Sequence, residues 1–166
     1  MEWITSLKIS WYFVFVVAHV FGLVIGLGAC TVTYVIGAYG MLKPSILPKA
    51  TGVFKIISLI VWAGLFILIA SGILLVIYSG DIYGDAIKSN LFYLKMALIV
   101  VEIINGLFLN LVVTPAMEDA VVLENFEKTP QFRRAQIIGV IGGGISATCW
   151  YGAFILGMYI FRIVAG

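Results

Sequence analysis

The chain has 166 residues, of which 63% are hydrophobic and 11% charged, with a formal net charge of +2. Soluble domains are about half apolar and about a quarter charged, so this composition excludes an ordinary soluble globular protein. The ten basic residues are spread thinly among the connections, which argues against nucleic acid as a partner.

About 20 consecutive apolar residues cross the hydrocarbon core of a bilayer as one helix. Stretches at roughly 9–38, 54–78, 91–113 and 137–163 meet that requirement and leave no room for a separate soluble domain. The expected fold is therefore all-α, a single four-span transmembrane bundle over residues 1–166. The first stretch is longer than the ~7–15 apolar residues of a signal-peptide core, so it is expected to be a retained span.

In chain order, the first span is preceded by Trp3 and Trp11 and closes near Tyr34 and Tyr39, residues of the kind that anchor at interfaces. Lys43, Pro44, Pro48 and Lys49 form a basic turn that interrupts the helix. The second span ends before Ser79, Gly80, Asp81 and Gly84. After the third, Thr114-Pro115 suggests the N-cap and first turn of a short surface helix, with Thr129-Pro130 ending it. Gly22-xxx-Gly26, with Gly28 and Ala29, marks the first span. Gly139-xxx-Gly143, with Gly142, Gly144, Ser146 and Ala147, marks the fourth. Small residues at this spacing let helix backbones approach closely in lipid. They serve packing within the bundle, a homodimer contact, or a flat surface for a planar ring.

The connections also suggest an orientation. Lys43, Lys49, Lys55, Lys128, Arg133 and Arg134 belong to the first and third, against Lys8, Lys88 and Arg162 on the other side. The positive-inside rule places the first and third connections in the cytoplasm and both termini outside, in a multi-pass protein of the plasma membrane.

The third span carries Lys95, Glu102, Asn105 and Asn110. A charge at a helix centre costs about 2.5–3.5 kcal/mol on the insertion scale, so it normally faces a partner or a cavity. At about 100° per residue Lys95 and Glu102 fall within about 20° of one another, with the two asparagines within about 80° on either side. All four should face into the bundle. Lys95 and Glu102 are about 10 Å apart along the axis, too far for an ideal pair, so each needs another partner. His19, the sole histidine, lies at a depth similar to Lys95. Each residue also has a plainer role: Lys95 snorkelling to the interface, Glu102 bonded to Asn105 or a carbonyl, His19 satisfied between helices. A buried histidine is also a common ligand of metals and haem iron.

Enzyme motifs are lacking: there is no Walker sequence, GxSxG or HExxH, and Gly142-Gly143-Gly144 lies inside a span. Cys30 and Cys149 form no CxxC or Cys/His spacing and suit small buried hydrophobes.

The stretch Ala18-His19-Val20-Phe21-Gly22 through Gly28-Ala29 resembles the first helix of small CopD-like and HemJ-like four-helix membrane proteins. Leu91-Phe92-Tyr93-Leu94-Lys95 is similar to their lysine-bearing third helix, and Ser71-Gly72 fits their second. The resemblance is greatest to an uncharacterised bacterial branch. HemJ-type proteins are haem b-holding protoporphyrinogen oxidases, and CopD-type proteins are associated with copper uptake. The resemblance implies His19 as axial metal ligand and Lys95 as propionate partner or second ligand. A second membrane histidine and a Met- or His-rich copper motif are missing here, and Glu102 belongs to no pattern of the group. The expectation that follows is haem b, or another porphyrin or a quinone, between the helices. His19, Lys95 and Asn105 would be the cofactor contacts, and Lys95 and Glu102 the reacting groups of a membrane oxidoreductase. The rival expectations are an accessory subunit of a larger membrane complex or a homo-oligomer, and transport of copper or protons.

Overall fold

The computed structural model describes residues 2–78, 80–122, 127 and 129–165. Helix α1 (Glu2–Leu42) leads through a 3-10 turn (Pro44–Ile46) into α2 (Leu47–Tyr78). A short α3 (Gly80–Ile87) precedes α4 (Asn90–Phe108), which runs through a π-turn (Leu109–Val113) into α5 (Thr114–Val121). Helix α6 (Pro130–Ala165) completes an all-α bundle with no strand among the described residues.

Four helical stretches are long and apolar enough to cross a membrane: Trp11–Leu42, Gly52–Tyr78, Asn90–Val121 and Pro130–Arg162. They follow the expected spans but extend past most of their ends. The 32 residues of Trp11–Leu42 measure about 48 Å at 1.5 Å per residue, against a hydrocarbon core of about 30 Å. The outer surface is clad in exposed Leu59, Phe66, Ile104 and Leu111, a coat suited to lipid rather than water. These properties are those of a small multi-pass membrane protein.

Two expected boundaries differ. Thr114 does not cap a new helix; it is helical (φ −62°, ψ −48°), and its Oγ1 donates to Leu109 O at 3.0 Å. Pro115 has no N–H and its ring crowds the carbonyl four residues back, so the helix widens into the π-turn just before it and continues. Thr129-Pro130 starts a helix instead of ending one. Thr129 Oγ1 accepts from Phe132 N at 3.3 Å, with Pro130 in the first turn, where its missing donor costs nothing. Pro48 likewise sits in the first turn of α2, so the break after α1 is confined to Lys43–Ile46. Ser79 and Lys128 lie outside the described residues.

Helix α1 packs on α2 and α6, and α6 packs on α4, whereas α2 and α4 form no such close pair. Glycine decides these contacts. A Cβ on Gly64 would stand 2.6 Å from Gly26 N, and one on Gly22 would stand 2.9 Å from Gly64 O. The Trp150 ring occupies the space beside Gly26. On α6, Gly142 receives Leu109 and Gly143 receives Tyr34. Both small-residue seams are thus used within the chain, while Gly28 and Gly37 face open space. Cys30, Leu65, Leu68 and Trp150 form the mid-bundle core. At the end bearing the first and third connections, Leu47, Ala120 and Phe132 form a second cluster, with Met117 and Phe54 against it. Helix α5 packs there on both α2 and α6, and Lys55 Nζ meets Glu118 Oε1 at 2.8 Å.

Candidate functional site

Lys95, Glu102 and Asn105 of α4 and Asn110 of the π-turn are buried or half-buried but separate into different directions. Glu102 is buried, at 6% exposure, against α6. Its Oε1 accepts from Ser146 Oγ at 2.9 Å and from Trp150 Nε1 at 3.0 Å. Asn105 Nδ2 donates to Ser146 Oγ at 3.0 Å and to Gly142 O at 2.8 Å. Gly142, Ser146 and Trp150 recur every four residues and so form one stripe of α6 facing this row. Asn110 turns the other way, its Oδ1 accepting from Ser58 Oγ of α2 at 2.7 Å. Glu102 therefore reaches Asn105 only through Ser146, and its partners are residues of α6 that the α4 sequence does not indicate. Its Oε2 is buried, with no hydrogen-bond partner among the described residues.

Glu102 stands between two voids. The larger, about 160 Å³, extends toward the first- and third-connection end and touches α1, α2, α4, the π-turn, α5 and α6. Its walls are mainly apolar, with Val61, Trp62, Leu65, Leu109, Val113 and Val140 among them. Ser58, Asn110, Thr114, Gln136 and Ser146 supply most of its polar edge. Several of these are engaged elsewhere: Gln136 Nε2 donates to Gly40 O at 2.8 Å, and Thr114 and Ser146 are bonded as above. The smaller void, about 20 Å³, is walled by Leu68, Leu98, Ile99, Trp150 and other apolar groups, with only the Cys149 thiol beside Glu102. A buried water needs two to four polar partners, so that space suits water poorly.

His19 and Lys95 lie in the other half of the bundle and do not line the large cavity. His19 Nδ1 is 3.1 Å from Ser71 Oγ. The Ser71 hydroxyl spends its proton on Ile67 O at 2.6 Å, so it accepts from Nδ1–H, which leaves the His19 Nε2 lone pair free of that bond. The ring fits because Gly72 has no side chain: a Cβ there would lie 3.2 Å from His19 Cε1. Lys95 lies within electrostatic range of the ring, and its Nζ is 3.5 Å from where a Cβ on Gly157 would stand. The sequence places His19 and Lys95 at one depth, and the structure brings them into one neighbourhood. Asn105 is not part of it, being tied to α6.

Among the described residues no group of three or more His, Cys, Asp or Glu side chains is arranged to hold a metal ion. No protein-family model, curated protein or solved structure matches the chain.

Proposed function

We propose that this small membrane protein binds a lipid-soluble molecule in the cavity between its helices, whose wall includes Glu102 among a few polar residues. The observation that carries the reading is the mainly apolar void itself, walled by α1, α2, α4 and α6 with only a few polar residues, Glu102 among them. A void of about 160 Å³ resembles the engineered cavity of about 150 Å³ that stays dry and takes up benzene. It suits one ring or a short chain rather than a porphyrin macrocycle. Native mass spectrometry of protein released gently from membranes tests this. The expected result is a retained apolar adduct that Val140→Phe, which fills the cavity, removes. Wild-type protein free of any adduct, and indifferent to added apolar compounds, defeats the reading.

The His19 site supports a second reading, in which Nε2 serves as axial ligand to a haem b, with Lys95 near a propionate, as in the HemJ-like resemblance. Its support is the Ser71 bond, which fixes the ring and directs Nε2 to ligation, as a metal-bound histidine requires. Haem would supply one-electron chemistry, and His19 and Lys95 would hold it. An absorption spectrum after haem is supplied decides the matter: a Soret band lost in His19→Ala upholds this reading, and no band dismisses it.

A further inference from the structure

We infer that the ligand of this cavity is an apolar molecule bearing one hydroxyl, an alcohol or a phenol, whose O–H donates to Gln136 Oε1. The inference rests on the cavity reading above and adds the polar contact and the chemistry of the ligand.

Its first support is a free acceptor on the void. Gln136 belongs to the cavity wall and is 7% exposed. Its Nε2 donates to Gly40 O at 2.8 Å, and only the nitrogen end can donate to a carbonyl, so the orientation of the amide is fixed. Oε1 is the end left over, and no hydrogen bond reaches it among the described residues. Among those residues, Glu102 Oε2 is the one buried side-chain nitrogen or oxygen that is both unbonded and without accessible surface. Gln136 Oε1 is unbonded but not sealed in that way. On a side chain so deeply buried, the surface it keeps opens on the void that it lines.

The second support is the chemistry around that acceptor. The aliphatic hydroxyls of the wall, Thr33, Ser58, Thr114 and Ser146, all donate to other oxygens of the protein. An acceptor that none of them meets selects a ligand that brings its own donor. No lysine or arginine is among the described residues of the wall, which is mainly apolar. A charged ammonium would be costly to bury there, and an amide would bring a carbonyl in need of a donor. A hydroxyl is neutral and adds one heavy atom to a ring, in a void of the order that holds one ring.

The third support is access at the same place. Helices α1 and α6 touch where Tyr34 meets Gly143, and again where Gln136 bonds to Gly40. Between these contacts Gly37 lines the void, and a Cβ there would meet nothing within 4 Å. From Tyr34 to Gly40 the axis rises about 9 Å at 1.5 Å per residue. Gly37, Gly139 and Val140 around this slot are half-buried. A molecule arriving from the bilayer meets the thinnest wall there, and Gln136 stands at one end of the slot.

The test uses the full chain in nanodiscs and an isosteric pair, para-fluorophenol and para-fluorotoluene, in which a hydroxyl replaces a methyl. Fluorine NMR reads the binding of each, with concentrations counted in the bilayer so that partitioning does not enter. The phenol is expected to bind about fivefold or more tightly than the toluene, the worth of one hydrogen bond. Gln136→Leu should erase that preference and keep the affinity for the toluene, which also shows that the void survives the change. Val140→Phe should abolish binding of both rings. A further readout needs no variant: in protein with labelled glutamine, the Gln136 side-chain amide signal should move further with the phenol than with the toluene, with the exposed Gln131 as reference. Equal affinity of wild type for the two rings, a preference that persists in Gln136→Leu, or equal movement of the amide signal overturns the inference and leaves the cavity reading standing. Binding unchanged in Val140→Phe places the rings elsewhere and overturns the inference. Failure of both rings to bind wild-type protein also overturns it, and the cavity reading then stands or falls on the adduct measurement.

Discussion

Ser146 joins two residues of α4, Glu102 and Asn105, by bonding to both. It accepts from Asn105 and donates to Glu102, so its single hydroxyl relays between them and fixes α6 against α4. Hydrogen bonds between membrane helices contribute about 0.6 kcal/mol on average and up to about 1.7. This one also holds the carboxyl in its orientation. A double-mutant cycle of Asn105→Ala and Ser146→Ala, measured by unfolding in detergent, should therefore give a coupling of about 0.5–1.5 kcal/mol. A coupling indistinguishable from zero would mean that the relay does not act as a unit. Glu102 itself is conspicuous in the sequence, because a carboxylate in the middle of a span demands an explanation. Its partners are not, because Ser146 and Trp150 lie 44 and 48 positions away on a helix whose glycines dominate its pattern. The same holds for His19, whose partner Ser71 lies 52 positions away.

At the level of elements, apolar length alone identifies the four spans, because in hydrocarbon every backbone group must be satisfied within its own helix. Local cap chemistry is less decisive. Thr-Pro occurs at both 114–115 and 129–130, yet the first pair continues a helix through a π-turn and the second begins one. The difference lies in tertiary packing, which holds α5 against α2 and α6 as a continuation of α4. Glycine spacing likewise shows that helices approach, without showing which ones. The structure makes Gly64 the critical position and Gly28 a neutral one. A Cβ on Gly64 meets backbone, which cannot yield as a side-chain tip can, while a Cβ on Gly28 meets nothing within 4 Å. Gly64→Ala should destabilise the bundle by about 1–3 kcal/mol, and Gly28→Ala should stay within about 0.5 kcal/mol of wild type. Thermal unfolding of the two variants in the same detergent separates them, and equal loss would place the α1–α2 contact elsewhere.

On the scale of the whole molecule, the bundle has two unlike halves. One contains His19, Ser71 and Lys95; the other contains the cavity, the π-turn and α5. The sequence contains the residues of both but cannot reveal the cavity, whose wall is assembled from residues far apart in the chain. The proposed orientation assigns these halves to opposite leaflets. Basic residues are about twice as numerous around the first and third connections as on the other side, and such asymmetry sets the topology of short loops. With those connections in the cytoplasm, the cavity would lie in the inner half of the membrane, and the proposed ligand would reach it from there. Single cysteines introduced at exposed Lys43, Lys88 and Arg134 test the assignment, since the native Cys30 and Cys149 are buried at 5% and 4% exposure. An impermeant maleimide applied to intact cells should label Lys88→Cys alone, while Lys43→Cys and Arg134→Cys should react only after the membrane is opened. The reverse pattern would turn the bundle over, placing the cavity in the outer half and the His19–Lys95 neighbourhood in the inner one.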